Sequence, residues 1–270
     1  MKERLSLFLS QDPTTVNDAW ENEIAIQAQN AFRDVHDKFL DAIALIPQSR
    51  NDESGTTATV AYVTRDYIVL ASLGDSRAVL STKKAGKVGA IQLTRDHVAS
   101  DPVEKSAIES RGGSVLQING LDRVNGTLAV SRSLGDSHLS SVLSQTPDVT
   151  TFARGTILDM CGELGNSVRF PCFLILASDG LWDVLPNTEV VSSIVLYIGS
   201  CEVALLNFAQ QVHLVLDTIQ SGDDSGGQSS NHAALQRAAE TLVHEAFVRG
   251  STDNIGVCVI GLSGEFVAGY

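Results

Sequence analysis

The sequence predicts an α+β fold, a single domain of sheets covered by helices, and three observations predict it. Short β-branched runs bounded by Gly, Asp and Ser recur along the chain. Between them lie longer segments whose apolar residues fall three and four apart. The 270 residues, 43% hydrophobic and 19% charged, suit one large globular domain and are too apolar for a disordered chain. The domain is expected to occupy residues 1–270, with 1–16 a poorly defined leader and 221–231 (SGDDSGGQSSN) a flexible Gly/Ser loop.

The elements follow in order. Trp20, Ile24, Ala28, Ala31, Phe32, Val35, Phe39 and Ile43 form one apolar stripe and predict a helix, with Asp18 as its N-cap and Pro47 beyond its end. Then the period changes. Thr56–Val63 and Tyr67–Leu73 read as neighbouring strands, and Arg77–Leu80 and Val88–Leu93 continue them across the turn KKAGK. A second helix is marked by Asp101 as cap, Pro102 at its first position, Glu104 at its third and Gly112-Gly113 as its stop. Thr127–Ser131 and Cys172–Ala177 are predicted strands, the latter apolar enough to be buried on both faces. Asn187 is the expected cap of a helix through Val190, Val191, Ile194 and Val195. Helices over Glu202–Ile219 and His232–Val248 precede a closing strand, Ile255–Leu262.

Charge narrows the function classes. Nineteen Lys plus Arg against 32 Asp plus Glu give −13, which counts against nucleic acid or anionic membrane as the main partner. A local phosphate site survives this, because a bound cation can supply the missing positive charge. No apolar run approaches the ~20 residues that span a bilayer, and the N-terminal apolar stretch is too short for a signal-peptide core. An intracellular protein is expected, cytoplasmic or alternatively nuclear. Cys161, Cys172, Cys201 and Cys258 show no zinc-ligand spacing; a disulfide framework is not expected, and the last three read as buried free thiols. The absence of G-x-x-x-x-G-K removes a P-loop, and Ser76 has no histidine placed to activate it.

Three carboxylates share a context. Asp75 follows YIVLASLG, Asp179 follows FLILAS, and Asp253 precedes the strand IGVCVIGL, so each stands at the end of a buried strand. Asp183 lies one helical turn after Asp179. Converging carboxylates repel, and a hard divalent cation such as Mg²⁺ or Mn²⁺ is the usual resolution. Asp-Gly and Asp-Asn are also ordinary turn signals, so spacing alone leaves both readings open.

Six blocks occur in order: SGTTATV from Ser54, LGDSRAV from Leu73, LTRDH from Leu93, NGTLAVSRSLGD from Asn125, LASDGLWD from Leu176 and STDN from Ser251. Together they resemble the metal-dependent serine/threonine phosphatases of the protein phosphatase 2C family. The resemblance implies a sandwich of two antiparallel sheets flanked by helices, with Mg²⁺ or Mn²⁺ ions at one end. It implies Asp179 and Asp253 as core metal ligands, and Asp75 and Asp183 at a weaker third position. It also implies attack by metal-activated water on a phosphoserine or phosphothreonine of a protein substrate, without a phosphoenzyme. Members of the family carry an Asp-Gly-His-Gly-Gly block before the first long helix, with a Glu and an Arg earlier still. None of these occurs in this sequence. The expectation is therefore an N-terminally truncated domain lacking the first strands, with one core metal site defective and activity impaired. The alternative is a non-catalytic pseudophosphatase that binds its partner without turning it over.

Overall fold

A helix-forming stripe must find something apolar to cover, and the first helix finds a strand. In the computed structural model, which describes residues 18–45, 53–164, 172–198 and 227–262, the elements run α1 (Asp18–Ala44), β1 (Gly55–Thr56), β2 (Ala58–Val63), β3 (Tyr67–Leu73), β4 (Arg77–Lys84), β5 (Lys87–Gln92), α2 (Pro102–Ser110), β6 (Val115–Ile118) and β7 (Leu121–Val124). They continue with β8 (Leu134–Gly135), β9 (Asp148–Ala153), α3 (Arg154–Cys161), β10 (Phe173–Ala177), α4 (Asp179–Trp182), α5 (Asn187–Ile198), α6 (Gly227–Val248) and β11 (Val257–Gly261). The chain divides into two compact units, residues 1–76 with 94–152, and 77–93 with 153–270.

In the first unit β2, β3 and β9 form one sheet, β6 pairs with β7 and β1 with β8. β2 and β3 are antiparallel, with Val60 opposite Ala71. Ala28 and Phe32 of α1 pack on Ala71, Leu73 and Leu134. Val35 and Phe39, expected in the buried stripe, are each 37% exposed. His36 turns inward instead, one turn on from Phe32, and its Nδ1 accepts the Gly135 N–H at 3.1 Å. A main-chain donor that needs a partner thus displaces an apolar contact from the second half of the helix.

α2 bears out its sequence signals: the Asp101 carboxylate accepts from the N–H groups of Val103 and Glu104, and Pro102 opens the helix. Thr127–Ser131 does not form the expected strand and makes only single bridges, Leu128 to Val124 and Val130 to Val98. Its neighbour β6–β7 is the hairpin, turning at Asn119-Gly120 with both residues at positive φ. The Asn-Gly pair prefers a primed turn, whose twist matches that of paired strands.

The second unit is built on the sheet β11-β10-β4-β5. β10 is central and antiparallel to both neighbours, with Ile175 opposite Val259 on one side and Val79 on the other. Phe173, Leu174 and Ile175 are wholly buried, which explains the unbroken apolar run. α5 and α6 supply Val190, Val191, Ile194, Ala238, Leu242 and Ala246 to the core beside Phe173, Ile175 and Trp182.

Three expectations are corrected here. α6 begins at Gly227, inside the segment expected to be a loop, because each turn added to an established helix fixes little further chain. Asn187 is the first residue of α5; its side chain accepts from Arg77 and donates to Gln92. Cys161 and Cys172, both fully buried at the end of α3 and the entry to β10, are joined as a disulfide, their Cα atoms 6.0 Å apart within bridging range. The strand pairing that returns the chain from α3 to β10 brings together two sulfurs that no sequence spacing links. Cys258 is free but exposed. Cys201, Pro47, the 1–16 leader, residues 221–226 and the helix expected over 202–219 lie outside the described residues.

Candidate metal and phosphate site

β10 ends at Ala177, and the chain turns at once into α4, whose first residue is Asp179. Ser178 makes that turn. Its N–H donates to the Gly256 carbonyl at 3.0 Å, its hydroxyl donates to the Asn254 carbonyl at 3.0 Å, and the Gly256 N–H donates back to the same hydroxyl at 2.9 Å. Ser251 completes the clasp, its hydroxyl donating to the Gly180 carbonyl at 2.7 Å. Gly180 permits the approach: a Cβ there would lie 2.5 Å from the Asn254 carbonyl oxygen, closer than such atoms come. The segment carrying Asp253 is thereby held against the strand end carrying Asp179.

The carboxylates are set differently. Asp179 is half-buried, with Oδ1 accepting the Gly180 N–H at 2.8 Å. Asp253 is exposed, with Oδ1 accepting the Asn254 N–H at 2.6 Å. Asp183 closes α4, its N–H donating to the Asp179 carbonyl at 2.8 Å, as one helical turn requires. Burial raises the pKa of Asp179, and the negative charges of Asp253 and then Asp183 raise it further against the backbone hydrogen bonds that oppose the shift. These three acids therefore share one electrostatic neighbourhood.

Trp182, beside two of the acids, is core: it is 5% exposed and its Nε1–H donates to the Ala177 carbonyl at 2.8 Å. The serines of the clasp are the part that sequence reasoning missed. Their signal lay inside the quoted blocks, where Ser178 immediately precedes Asp179 and Ser251 stands two residues before Asp253.

Asp75 belongs to the first unit, half-buried just after β3. Its loop is fastened from β2: Thr57 Oγ1 pairs with Ser76 Oγ at 2.9 Å, and Thr59 Oγ1 donates to the Ser76 carbonyl at 2.9 Å. Gly74 has φ +99°, and a Cβ there would meet the Thr57 side chain at 2.3 Å, so only glycine fits.

Hard carboxylate oxygens under mutual repulsion are the right kind of donor for Mg²⁺ or Mn²⁺. Among the described residues no three His, Cys, Asp or Glu side chains gather into a cage.

The comparisons with known proteins agree with one another. The family profile described as "Protein phosphatase 2C" matches residues 11–255. The chain is 38% identical over 212 residues to "Probable protein phosphatase 2C 75" of Arabidopsis thaliana, covering 77% of this chain and 44% of that one. It is 39% identical over 219 residues to "Protein phosphatase 2C 53" of Oryza sativa subsp. japonica, covering 80% and 42%. The chain thus spans about half the length of the curated relatives it matches. Among solved structures, a Toxoplasma gondii serine-threonine phosphatase 2C aligns with TM-score 0.63 at 19% identity, over 96% of this chain and 77% of its own. A sex-determining protein of C. elegans aligns with TM-score 0.65 at 19% identity, over 97% and 51%. These likenesses, with the antiparallel sheets and flanking helices described above, show the expected fold. Among the described residues no helix is long and apolar enough to cross a membrane. On the profile match and the identities together, the chain belongs to the protein phosphatase 2C family.

Proposed function

We propose that the chain acts as a Mg²⁺- or Mn²⁺-dependent protein serine/threonine phosphatase domain, hydrolysing phosphoserine and phosphothreonine in protein substrates of the cytoplasm or nucleus. The observation that carries this reading is the hydrogen-bonded clasp that holds the segment of Asp253 against the strand end carrying Asp179, in a chain of this family. Asp179 and Asp253 are the residues that would hold the core ion, with Asp183 and Asp75 serving a weaker position. When bound, a divalent ion there supplies an activated water and offsets charge on the phosphoryl group.

The chain's own residues do the rest. The Ser178–Ser251 clasp fixes where Asp179 and Asp253 stand, and an ion-binding group must be fixed before substrate arrives if it is to lower the barrier. The Gly180 N–H orients one oxygen of Asp179. A negative local field also gives a dianionic phosphate no reason to bind until a cation is present, which makes metal and substrate binding cooperative.

The second reading is a pseudophosphatase, which keeps the fold and binds a phosphoprotein without turning it over. One assay separates the two. Release of phosphate from a phosphothreonine peptide is measured with Mn²⁺, with EDTA, and for Asp179→Asn with Mn²⁺. Turnover that EDTA and Asp179→Asn each reduce by about a hundredfold or more supports the phosphatase, the size being that of a lost electrostatic stabiliser. Folded protein without turnover overturns the phosphatase reading for this 270-residue chain. Equal rates in wild type and Asp179→Asn would remove Asp179 from the mechanism.

A further inference from the structure

We propose that His97 is a positioning residue for Asp75, acting through the backbone of Gly74; the proposal rests on the reading of Asp75 as a metal ligand given above. His97 is wholly buried and touches Gly74 twice. Its main-chain N–H donates to the Gly74 carbonyl at 2.9 Å, and its ring Nδ1 accepts the Gly74 N–H at 3.2 Å. Both polar groups of the residue immediately before Asp75 are therefore held by a single residue 23 positions away. The Thr57 side chain also lies against Gly74, leaving no room for a Cβ there.

The ring is itself anchored. Because Nδ1 accepts, the ring proton of an uncharged imidazole must sit on Nε2. Nε2 faces Asp148 Oδ2 at 3.0 Å. Asp148 Oδ1 accepts from Arg132 Nη1 at 2.8 Å, and Arg132 Nε donates to Glu104 Oε2 at 2.9 Å. The main chain is fixed as well, the Ser131 N–H donating to the His97 carbonyl at 2.9 Å. His97 thus joins a partly buried ion network to the loop that carries Asp75. A packing histidine requires neither ring nitrogen to meet a defined partner; here Nδ1 meets the backbone of that loop, while Nε2 stands 3.0 Å from Asp148 Oδ2 without hydrogen-bond geometry.

Substitution can separate the two ring contacts. Asparagine places an acceptor oxygen near the position of Nδ1 and can keep Gly74; glutamine reaches the position of Nε2 and can keep Asp148. Leucine keeps neither. In the full 270-residue chain, His97→Leu and His97→Gln should both weaken binding of Mn²⁺ at the Asp75-dependent position about tenfold by calorimetry, the usual size for loss of an outer partner. Both should also speed hydrogen exchange at the Gly74 amide. His97→Asn should restore both readouts toward wild type. Rescue by Gln and not by Asn would overturn the proposal, because it would tie His97 to the ion network alone. So would unchanged exchange and Mn²⁺ affinity in His97→Leu. Asp75→Asn separates this failure from a failure of the underlying reading. If Asp75→Asn weakens Mn²⁺ and His97→Leu does not, the positioning role falls alone. If Asp75→Asn changes nothing, or wild type binds no Mn²⁺, the ligand reading falls and the role falls with it.

Discussion

Two groups of carboxylates in this chain are perturbed in opposite directions. In the first unit, burial would raise the pKa of Glu104, but hydrogen bonds from Arg132 and Ser131 and the charge of Arg132 hold it below the ordinary value. Asp148 is held well below the usual carboxylate range, first by the His97 ring beside it and then by Arg132. In the second unit, Asp179 is pushed up by burial and by the negative charges around it. The side chains in the two places are nearly the same, and their company decides what they are for. A carboxylate with a guanidinium against it is satisfied and serves the fold. Acids gathered with one another are held at a cost that a bound cation or a proton can relieve, and such sites are where function concentrates.

The largest expected effect breaks the first group. Arg132 is 14% exposed and Glu104 4%, and Arg132 meets Glu104 through two nitrogens. Arg132→Leu removes two of the hydrogen bonds that compensate the buried Glu104, leaving Arg95 at 2.7 Å and Ser131 at 2.8 Å, and should destabilise the chain by about 1–3 kcal/mol, read as a lower urea midpoint. Adding Glu104→Leu should recover much of that loss, because an apolar pair needs no compensation. If the double variant is no more stable than the single one, the network is contributing something other than charge pairing.

Acid sharpens the contrast, because the two groups answer it with opposite signs. Glu104 and Asp148 have folded pKa values below their unfolded ones. Their contribution is fully present above the unfolded carboxylate value, about 4, and is lost as pH falls through the lower folded values. Asp179 has a folded value above its unfolded one, so the folded chain takes up its proton first and gains stability as pH falls toward about 4. With EDTA present, Asp179→Asn should therefore lose the gain on approaching pH 4 and be more stable than wild type at pH 7. Asp148→Asn should instead flatten the loss below pH 4. Chemical denaturation across pH reads both, and a common sign for the two variants would erase the distinction between the groups.

How much of this was legible in the sequence follows from how local each cause is. α2 was legible because a cap, a proline and a glycine stop act within one or two turns. Asp179 and Asp183 were legible as neighbours because helical pitch alone relates them. β6–β7 passed unread although Asn119-Gly120 is a local signal, because its flanking residues, 40–56% exposed at Leu116, Ile118 and Leu121, do not alternate apolar with polar. The pairing of Asp253 with Asp179 could be read only from the family's blocks, since its physical cause is a set of hydrogen bonds spanning more than 70 residues. His97 is the extreme case. Its partners, Gly74, Ser131 and Asp148, are invisible to any window of sequence, and from the LTRDH block alone it reads only as a structural histidine.

The smallest expected effect tests whether ion pairing or desolvation gives the first group its weight. Arg249 also meets two carboxylates, Glu245 one turn before it on α6, at 2.7 Å, and Glu189 of α5. By pairing alone it resembles Arg132. By exposure it does not, with side chains 29%, 32% and 27% exposed against 14% and 4% at Arg132 and Glu104. Water already solvates much of the Arg249 cluster, so its loss leaves no stranded buried charge. Arg249→Gln should cost at most about 1 kcal/mol. That cost should shrink further in 1 M salt, where the screening length is about 3 Å, while the cost of Arg132→Leu should hardly change. Equal costs for the two substitutions would mean that partners, rather than burial, set the energy. The first group's depressed carboxylates would then be an exposed salt-bridge network of the ordinary kind, and their contrast with Asp179 would rest on charge sign alone.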